Sequence, residues 1–228
     1  MTALSPTYIL VGMSQTNNPD KTRRALLEAA FEEICVHGFQ AGSLSNILAK
    51  TDLTKGALYH HFPDKKALGY AVVDEILEET VRQIWIAPLA QGNPIDAMLQ
   101  TLQTEGCKLG GEETFTGCPL SNLAQEVSAL DEGFRHRIAR IYAQWRQGVS
   151  AALARGQQEG LVRAEVNTDA AATFVVAAIE GCIALAKNNN DIQLLHECGA
   201  GLTHYLETLR PASSAKPVDA NKNIKPKQ

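Results

Sequence analysis

Basic, hydroxyl and imidazole side chains are concentrated in residues 54–62, at a spacing that would place them on one face of a short helix. Thr54 is a good N-cap, and Leu58 and Phe62, four residues apart, would share the apolar, inward side of that helix. The outward side would then carry Lys55, Gly56, Tyr59, His60 and His61. A short helix with such groups on its exposed face is suited to rest in the major groove of DNA.

The neighbouring residues predict the elements that would hold this helix in place. Residues 43–48 predict a helix that is capped by Ser43 or Ser45 and carries an apolar stripe on its buried side. Residues 22–37 predict a longer amphipathic helix, and Gly38 suits the left-handed conformation that often ends one. Three helices in such a short segment have little core of their own, so we expect them to pack against a neighbour.

The distribution of charge favours one docking orientation on DNA. The 228-residue chain has a net charge of −4. Residues 20–70 hold seven basic and six acidic side chains, residues 71–209 hold nine and eighteen, and residues 210–228 hold five and one. DNA phosphates would repel the acidic middle of such a chain and accept the neutral-to-basic N-terminal part.

Three segments of the sequence resemble the TetR family of bacterial transcriptional regulators: Ala29-Ala-Phe, His37-Gly-Phe and, above all, the long run from Leu53 to Leu68. That resemblance implies that base edges are approached by Lys55, Gly56, His60 and His61. It also implies that phosphates are held by Ser43, Thr54, Tyr59 and Lys65. The chain departs from the family at Asp52, where glycine is common, and at Gly42, where threonine is frequent; Asp52 would place a carboxylate near the duplex.

The remainder of the chain is predicted to be helical, because apolar residues recur at helical spacing up to residue 209 and no useful β-alternation occurs. We therefore predict an all-α fold, with a three-helix helix-turn-helix DNA-binding domain and a larger helical ligand-binding and dimerisation domain. The predicted segments are a disordered N-terminal extension (1–19), the DNA-binding domain (20–66, the head), the effector-binding and dimerisation domain (67–209, the body) and a flexible tail (210–228). Met13 resembles a natural start, so translation from that residue is an alternative to a disordered extension.

Small residues alternate with large apolar ones in the last two predicted helices, around residues 170–187 and 195–209. Such helices can approach closely, either inside a monomeric bundle or across a two-fold axis. In TetR-like proteins this region forms the dimer interface, so we predict an interface that contains Phe174, Ala178, Gly181, Leu185, Leu202 and Tyr205. Two-fold symmetry would place the recognition helices about 34–36 Å apart, or a multiple of that distance, on a palindromic operator.

Five cysteines without metal-ligand spacing, in a chain without a secretory signal, indicate a reducing cytoplasm. Cys118 directly precedes Pro119, a typical first helical residue, and a helix N-terminus lowers the pKa of a thiol. Residues 117–126 also resemble a TetR branch that includes repressors responsive to reactive electrophiles or small unsaturated acids. Cys118 is either such a sensing thiol or a packing residue, whereas Cys35, Cys182 and Cys198 are predicted to be small core residues.

The sequence favours a dimeric one-component regulator, most simply a repressor that binds a palindromic operator through residues 54–62 and is released by a small-molecule effector. We predict an effector pocket between the head and the dimer helices, lined by Trp85, Phe115, Cys118, Asn122, Tyr142 and Trp145, although core packing is an alternative for each aromatic residue. The alternative function is a redox or electrophile switch that uses Cys118 on the same fold. No phosphate loop, zinc motif or nucleophile–base pair is recognisable, so we expect no enzymatic activity, cofactor, metal or membrane partner.

Overall fold

The structure, a computed structural model, describes residues 18–110 and 115–212. The predictions made for the extension up to residue 17, including a start at Met13, and for the tail beyond residue 212 concern residues outside this description. All regular structure in the described part is helical, which confirms the predicted all-α class.

Nine helices, α1 to α9, follow one another in the described part of the chain. The head contains α1 (Asn18–Ala41), α2 (Leu44–Ala49) and α3 (Lys55–His61). Helix α4 (65–86) consists of α-helical Lys65–Ala71 and Glu78–Val81 with π-helical Val72–Leu77 and Arg82–Ile86, and a 3₁₀ turn, Ala87–Ala90, follows it. The other helices are α5 (Pro94–Gly110), α6 (Pro119–Val127), α7 (Glu132–Gln158), α8 (Thr168–Asn189) and α9 (Ile192–Thr208).

The predicted caps place the helices of the head. The Ser43 hydroxyl accepts the Ser45 N–H at the start of α2, and the Thr54 hydroxyl accepts the Ala57 N–H at the start of α3. Leu58 and Phe62 are buried against α1, as their spacing predicts. Gly38 has a positive φ of 77° and a non-helical backbone, so the regular helix is interrupted there, and one short turn to Ala41 follows the kink. The kink at Gly38 turns the backbone towards α6.

A buried carboxylate, Glu33, ties α1 to α2. Its Oε1 accepts the Ser43 N–H at 3.1 Å and the Asn46 side-chain N–H at 2.8 Å, and its Oε2 lies 3.6 Å from the Lys50 ammonium. Burial alone would raise the pKa of Glu33, but the hydrogen bonds from Asn46 and Ser43, together with the charges of His37 and Lys50, outweigh it and lower the pKa. The acid is therefore ionised inside the head.

The body has a single core between α4, α5, α7, α8 and α9. Trp145 is buried at its centre and stacks on Trp85, with 5.1 Å between the ring centroids. Ion pairs link α7 to α4, because Asp74 accepts hydrogen bonds from both Arg137 and Arg140. Helices α8 and α9 form a hairpin around Asn190, which has the left-handed conformation at φ 49°.

One face of this hairpin is left uncovered by the residues that the structure describes. Phe174 and Leu185 on α8 are 50% and 53% exposed, and Phe174 packs only edge-on against Tyr205 of α9 at 4.6 Å. Helix α8 has a mean hydropathy of 1.7 over its most apolar stretch, so by length and composition alone it could also cross a membrane. The exposed apolar face of α8 is therefore a candidate contact surface.

Candidate DNA-binding surface and effector cavity

Helix α3 presents a polar and aromatic face to solvent. Lys55, Tyr59 and His60 are exposed, and the Lys55 ammonium lies 5.8 Å from the centroid of the Tyr59 ring. His61 is half-buried, and its ring lies 5.2 Å from that of His60. The face that the sequence predicts is thus assembled on one side of a helix that is anchored on its other side.

Gly56 lies at the centre of this face, and the fold itself gives no reason for a glycine there. A Cβ at this position would meet only the Thr54 hydroxyl, at an ordinary distance of 3.7 Å. Glycine in a helix costs up to about 1 kcal/mol relative to alanine. The free space above Gly56 suits the close approach of another molecule's backbone.

Three of the predicted contact residues already have partners inside the protein. Ser43 and Thr54 serve as N-caps through their hydroxyl groups. Lys65 donates to the Gln40 carbonyl at 2.9 Å and lies 5.0 Å from the centroid of the Phe39 ring. An ammonium has three donors, so Lys65 can still meet a phosphate while it holds the end of α1. Its neighbour Lys66 is paired with Asp131 at 2.5 Å.

Two carboxylates of the body bind the head, and neither contact was predicted from the sequence. Glu126, near the end of α6, accepts the N–H groups of Phe39 at 2.8 Å and Gln40 at 2.7 Å. Asp131, the N-cap of α7, pairs with Lys66 of the head at 2.5 Å, and it also accepts hydrogen bonds from Tyr70 at 2.6 Å and from the Phe134 N–H at 3.0 Å. The hydrogen bonds of Lys66 and Tyr70 to Asp131 lower the pKa of its carboxyl group. The body therefore holds the head at the Gly38 kink and at the start of α4.

The body contains a cavity of about 450 Å³ between α4, α5, α8 and α9. Its walls are mainly apolar, with Trp85, Leu102 and Ile183 among them. Its polar groups are few: Gln103, Glu105, His196 and Thr203. Glu105 is paired with Lys108 at 2.7 Å, so its charge is already compensated. A volume and lining of this kind are typical of a site for a small, mostly apolar molecule.

Most of the predicted pocket residues lie elsewhere. Trp85 lines the large cavity, and Trp145 is buried beneath it, beside a second, much narrower space. Neither of these two cavities is lined by the other four predicted residues, Phe115, Cys118, Asn122 and Tyr142. Asn122 instead donates to the Thr116 carbonyl at 2.8 Å and accepts from Lys187 at 2.7 Å, which joins α6 to α8. The part that these four residues play in an effector site stays a prediction.

Cys118 occupies the predicted N-cap of α6, but its surroundings oppose ionisation. Its Sγ lies 3.4 Å from Glu180 Oε1, and Tyr142 Oη is also 3.4 Å from that oxygen. Burial, followed by the negative charge of Glu180, raises the pKa of the Cys118 thiol, and burial likewise raises the pKa of Glu180. The prediction that the helix N-terminus lowers the thiol pKa is therefore wrong for this conformation, because desolvation outweighs the helix dipole.

The predicted dimer residues divide into two groups. Phe174, Gly181 and Leu185 are exposed along α8, and Ala178 and Tyr205 are half-buried beside them. Leu202 is only 4% exposed and lines the large cavity, so the structure assigns it to the inside of the protomer. Leu202 differs from the other predicted dimer residues because one flank of α9 faces α5 inside the protomer, whereas another flank faces solvent.

The described residues contain no group of three or more His, Cys, Asp and Glu side chains placed to hold a metal ion. His60 and His61 are neighbours on α3, and within the described ranges no carboxylate or thiol completes a ligand set around them. Both histidines lie on the exposed face of the head, where a binding partner can reach them.

Comparison with known proteins identifies the family. Residues 26–72 match "Bacterial regulatory proteins, tetR family" and residues 109–201 match "Tetracyclin repressor-like, C-terminal domain". The HTH-type transcriptional repressor DhaR of Mycobacterium sp. (strain GP1) is 26% identical over 199 residues, covering 84% of this chain and 93% of that protein.

Solved structures agree in fold over most of the chain. A TetR transcriptional regulator from Chloroflexus aurantiacus J-10-FL gives a TM-score of 0.75 at 27% identity, covering 85% of this chain and 98% of the other. Escherichia coli NemR in its reduced form gives 0.71 at 24% identity, covering 81% and 96%. The chain therefore belongs to the TetR family of transcriptional regulators, and its head is a DNA-binding helix-turn-helix domain.

Proposed function

We propose that this protein is a dimeric, cytoplasmic repressor that binds a palindromic operator through α3 and is released by a small, mostly apolar effector. The observation that carries this proposal is the exposed face of Lys55, Gly56, Tyr59 and His60 on a helix whose other side is buried. Such a face supports contact with base edges and phosphates in one major groove. DhaR, a relative along most of the chain, is itself named a transcriptional repressor.

The two-fold partner is proposed to cover the exposed side of α8. Small residues there leave room for a close approach, since a Cβ on Gly181 would meet no atom within 4 Å. Phe174 and Leu185 supply the apolar area that a stable interface needs. A partner copy of the same hairpin accounts for the hydropathy of α8, so a membrane is not required.

Lys55→Ala tests the DNA-binding face. Loss of one contact per half-site should weaken binding to the promoter that contains the operator by about 1–3 kcal/mol per contact, with unchanged dimerisation. Arg146→Ala removes an exposed basic side chain from α7, in the body, and serves as the control in the same gel-shift titration. An unchanged affinity of Lys55→Ala would contradict the assignment of α3.

The effector is proposed to occupy the cavity between α4, α5, α8 and α9. The walls of this cavity are mainly apolar, and the charge of Glu105 in them is compensated by Lys108. The cavity therefore favours a neutral molecule over an ion. Because Trp85 forms one wall and the chain has only two tryptophans, occupancy should change the tryptophan fluorescence. A ligand releases DNA only if it binds more tightly to the conformation that does not fit the operator.

Gly199→Leu tests the site, because a Cβ on Gly199 meets no atom within 4 Å and a leucine there would project towards the cavity that Gly199 lines. N-phenyl-1-naphthylamine, a neutral apolar fluorophore, should bind the parent protein and bind Gly199→Leu much more weakly. Ala200→Leu adds the same side chain to the exposed flank of α9 and should bind the fluorophore normally. Equal binding to the parent and to Gly199→Leu would place the apolar site elsewhere and leave the assignment of α3 untouched.

The alternative prediction, an electrophile-sensing thiol at Cys118, receives less support from the geometry. A buried thiol beside a carboxylate is held protonated and is therefore a poor nucleophile. Cys118→Ser would distinguish the two functions. If Cys118 is the sensor, operator release by an electrophile is lost in the variant; if it is a packing residue, release is the same as in the parent.

A further inference from the structure

Cys182 and Cys198 face each other across the hairpin of α8 and α9. Each lies eight residues from Asn190, the left-handed turn residue, so the antiparallel helices bring them opposite one another. Their thiols lie close enough to interact electrostatically, and both side chains are free and half-buried. Periodicity predicts only two unrelated core residues at these positions, because it does not show which residues meet across a hairpin.

The pair can be reached from the large cavity. Cys182 lines it. Two neighbours of Cys198 line it as well: Leu195, three residues before it, and Gly199, the residue directly after it. A small oxidant that enters the cavity therefore meets the thiols without unfolding the hairpin. The cavity that we assign to the effector and this pair of thiols share the same wall.

We propose that Cys182 and Cys198 form an intramolecular disulfide when the protein meets a peroxide. The sulfur of one of the two cysteines attacks one peroxide oxygen, the O–O bond breaks, and a sulfenic acid and one water form. The sulfur of the other cysteine then attacks the sulfenic sulfur, the S–O bond breaks, a second water leaves, and the disulfide forms. In total two thiols are oxidised, one hydrogen peroxide is reduced, and two waters are released.

The resulting bond closes a loop around the hairpin turn and fixes α8 against α9. This site is independent of the proposed effector binding, since it requires only the two thiols and an oxidant.

Peptide mapping tests the proposal on the full-length protein. Trypsin cuts after lysine and arginine but not before proline, so Cys182 lies in peptide 164–187 and Cys198 in peptide 188–222. After treatment with hydrogen peroxide and blocking of free thiols, the non-reduced digest should contain these two peptides joined, with a mass two hydrogens below their sum. The linked peptide should come from a band that runs as a monomer on a non-reducing gel.

Variants and reduction complete the test. The linked peptide should be absent from Cys182→Ser and Cys198→Ser, present in Cys118→Ser, and lost after addition of dithiothreitol. The oxidised parent should also melt at a higher temperature than the reduced parent, because the bond restricts the unfolded chain. The proposal would be overturned if both cysteines stayed unlinked while other cysteines oxidised, or if the link joined two chains.

Discussion

Gly56 shows how a single residue can serve binding at the expense of the fold. Leu58 and Phe62, on the inner side of α3, are buried, whereas the space above Gly56 is empty of described protein atoms other than the Thr54 hydroxyl. A residue that weakens its own helix without any internal benefit points to a contact outside the protomer. The head therefore gives up some helix stability at the point where we expect DNA to approach most closely.

Gly56→Ala should separate stability from binding. We expect the free energy of unfolding to stay the same or to rise by up to about 1 kcal/mol, because alanine favours the helix. Operator affinity should fall, because the new methyl group would meet the DNA. Urea denaturation and gel-shift titration of the same preparation measure the two quantities, and a variant that binds the operator as tightly as the parent would refute close approach of DNA as the reason for this glycine.

Glu33 makes a prediction about pH. Its pKa is lowered in the folded head, so the ionised form contributes stability above the unfolded pKa of about 4.3, and this contribution is lost as the pH falls through the folded value. Glu33→Gln should be less stable than the parent by about 1–3 kcal/mol at pH 7, and the difference should shrink below about pH 4. Denaturation at both pH values measures this change.

Glu32→Gln is the matched control for Glu33, since Glu32 is the preceding residue and lies 3.7 Å from the same lysine, Lys50, but is less buried. Its effect should stay within about 0.5 kcal/mol, as for an ordinary surface substitution. Equal destabilisation by the two variants would show that charge near Lys50, rather than the buried hydrogen bonds of Glu33, supports the head.

Individual residues also show the limits of the sequence. The caps Ser43 and Thr54 and the buried pair Leu58 and Phe62 could be predicted, because each depends on neighbours within four residues. Glu33 could not be assigned, since its partners come from the turn before α2 and from α2 itself. For the same reason the contact between the two cysteines of the α8–α9 hairpin became apparent only when the hairpin was formed.

At the scale of elements, α6 is the connection between the two parts of the protein. Its first residues meet α8 through Asn122 and Lys187, and its N-cap Cys118 meets Glu180 of α8. Its last turn carries Glu126, which holds the backbone at the Gly38 kink. A displacement of α8 by a ligand therefore has a short physical route to the head.

Glu126→Ala should loosen this connection. Removing a charged acceptor of two N–H groups should expose the amides of Phe39 and Gln40, and their hydrogen exchange should accelerate by about tenfold or more, equivalent to about 1.4 kcal/mol. Gln125→Ala, on the exposed side of the same helix, should leave both amides protected. Unchanged exchange in Glu126→Ala would mean that the rest of the interface holds the head without this acid.

The elements themselves were largely predictable, whereas the space between them was not. Periodicity indicated the helices within a few residues, including the Pro119 start of α6 and the two last helices, α8 and α9. The cavity depends on which helices separate, and this is set by side-chain volumes that meet over long distances along the chain. Trp85 lies in the wall of the large cavity, whereas four of the six predicted pocket residues line neither the large nor the narrow one, and their part in an effector site stays a prediction.

For the whole molecule, the proposed dimer would recognise the operator through two heads held at a fixed distance by the pair of hairpins. Leu185→Asp tests that arrangement, because the two-fold axis would bring both aspartates into the apolar interface and each would have to lose its water. We expect monomers in sedimentation and a large loss of operator affinity, since one half-site alone cannot retain the protein. Leu130→Asp places the same charge at another exposed leucine, 69% exposed, and should remain dimeric and bind normally. If both variants stay dimeric, a different surface joins the protomers, and the spacing of the heads must be derived from that surface instead.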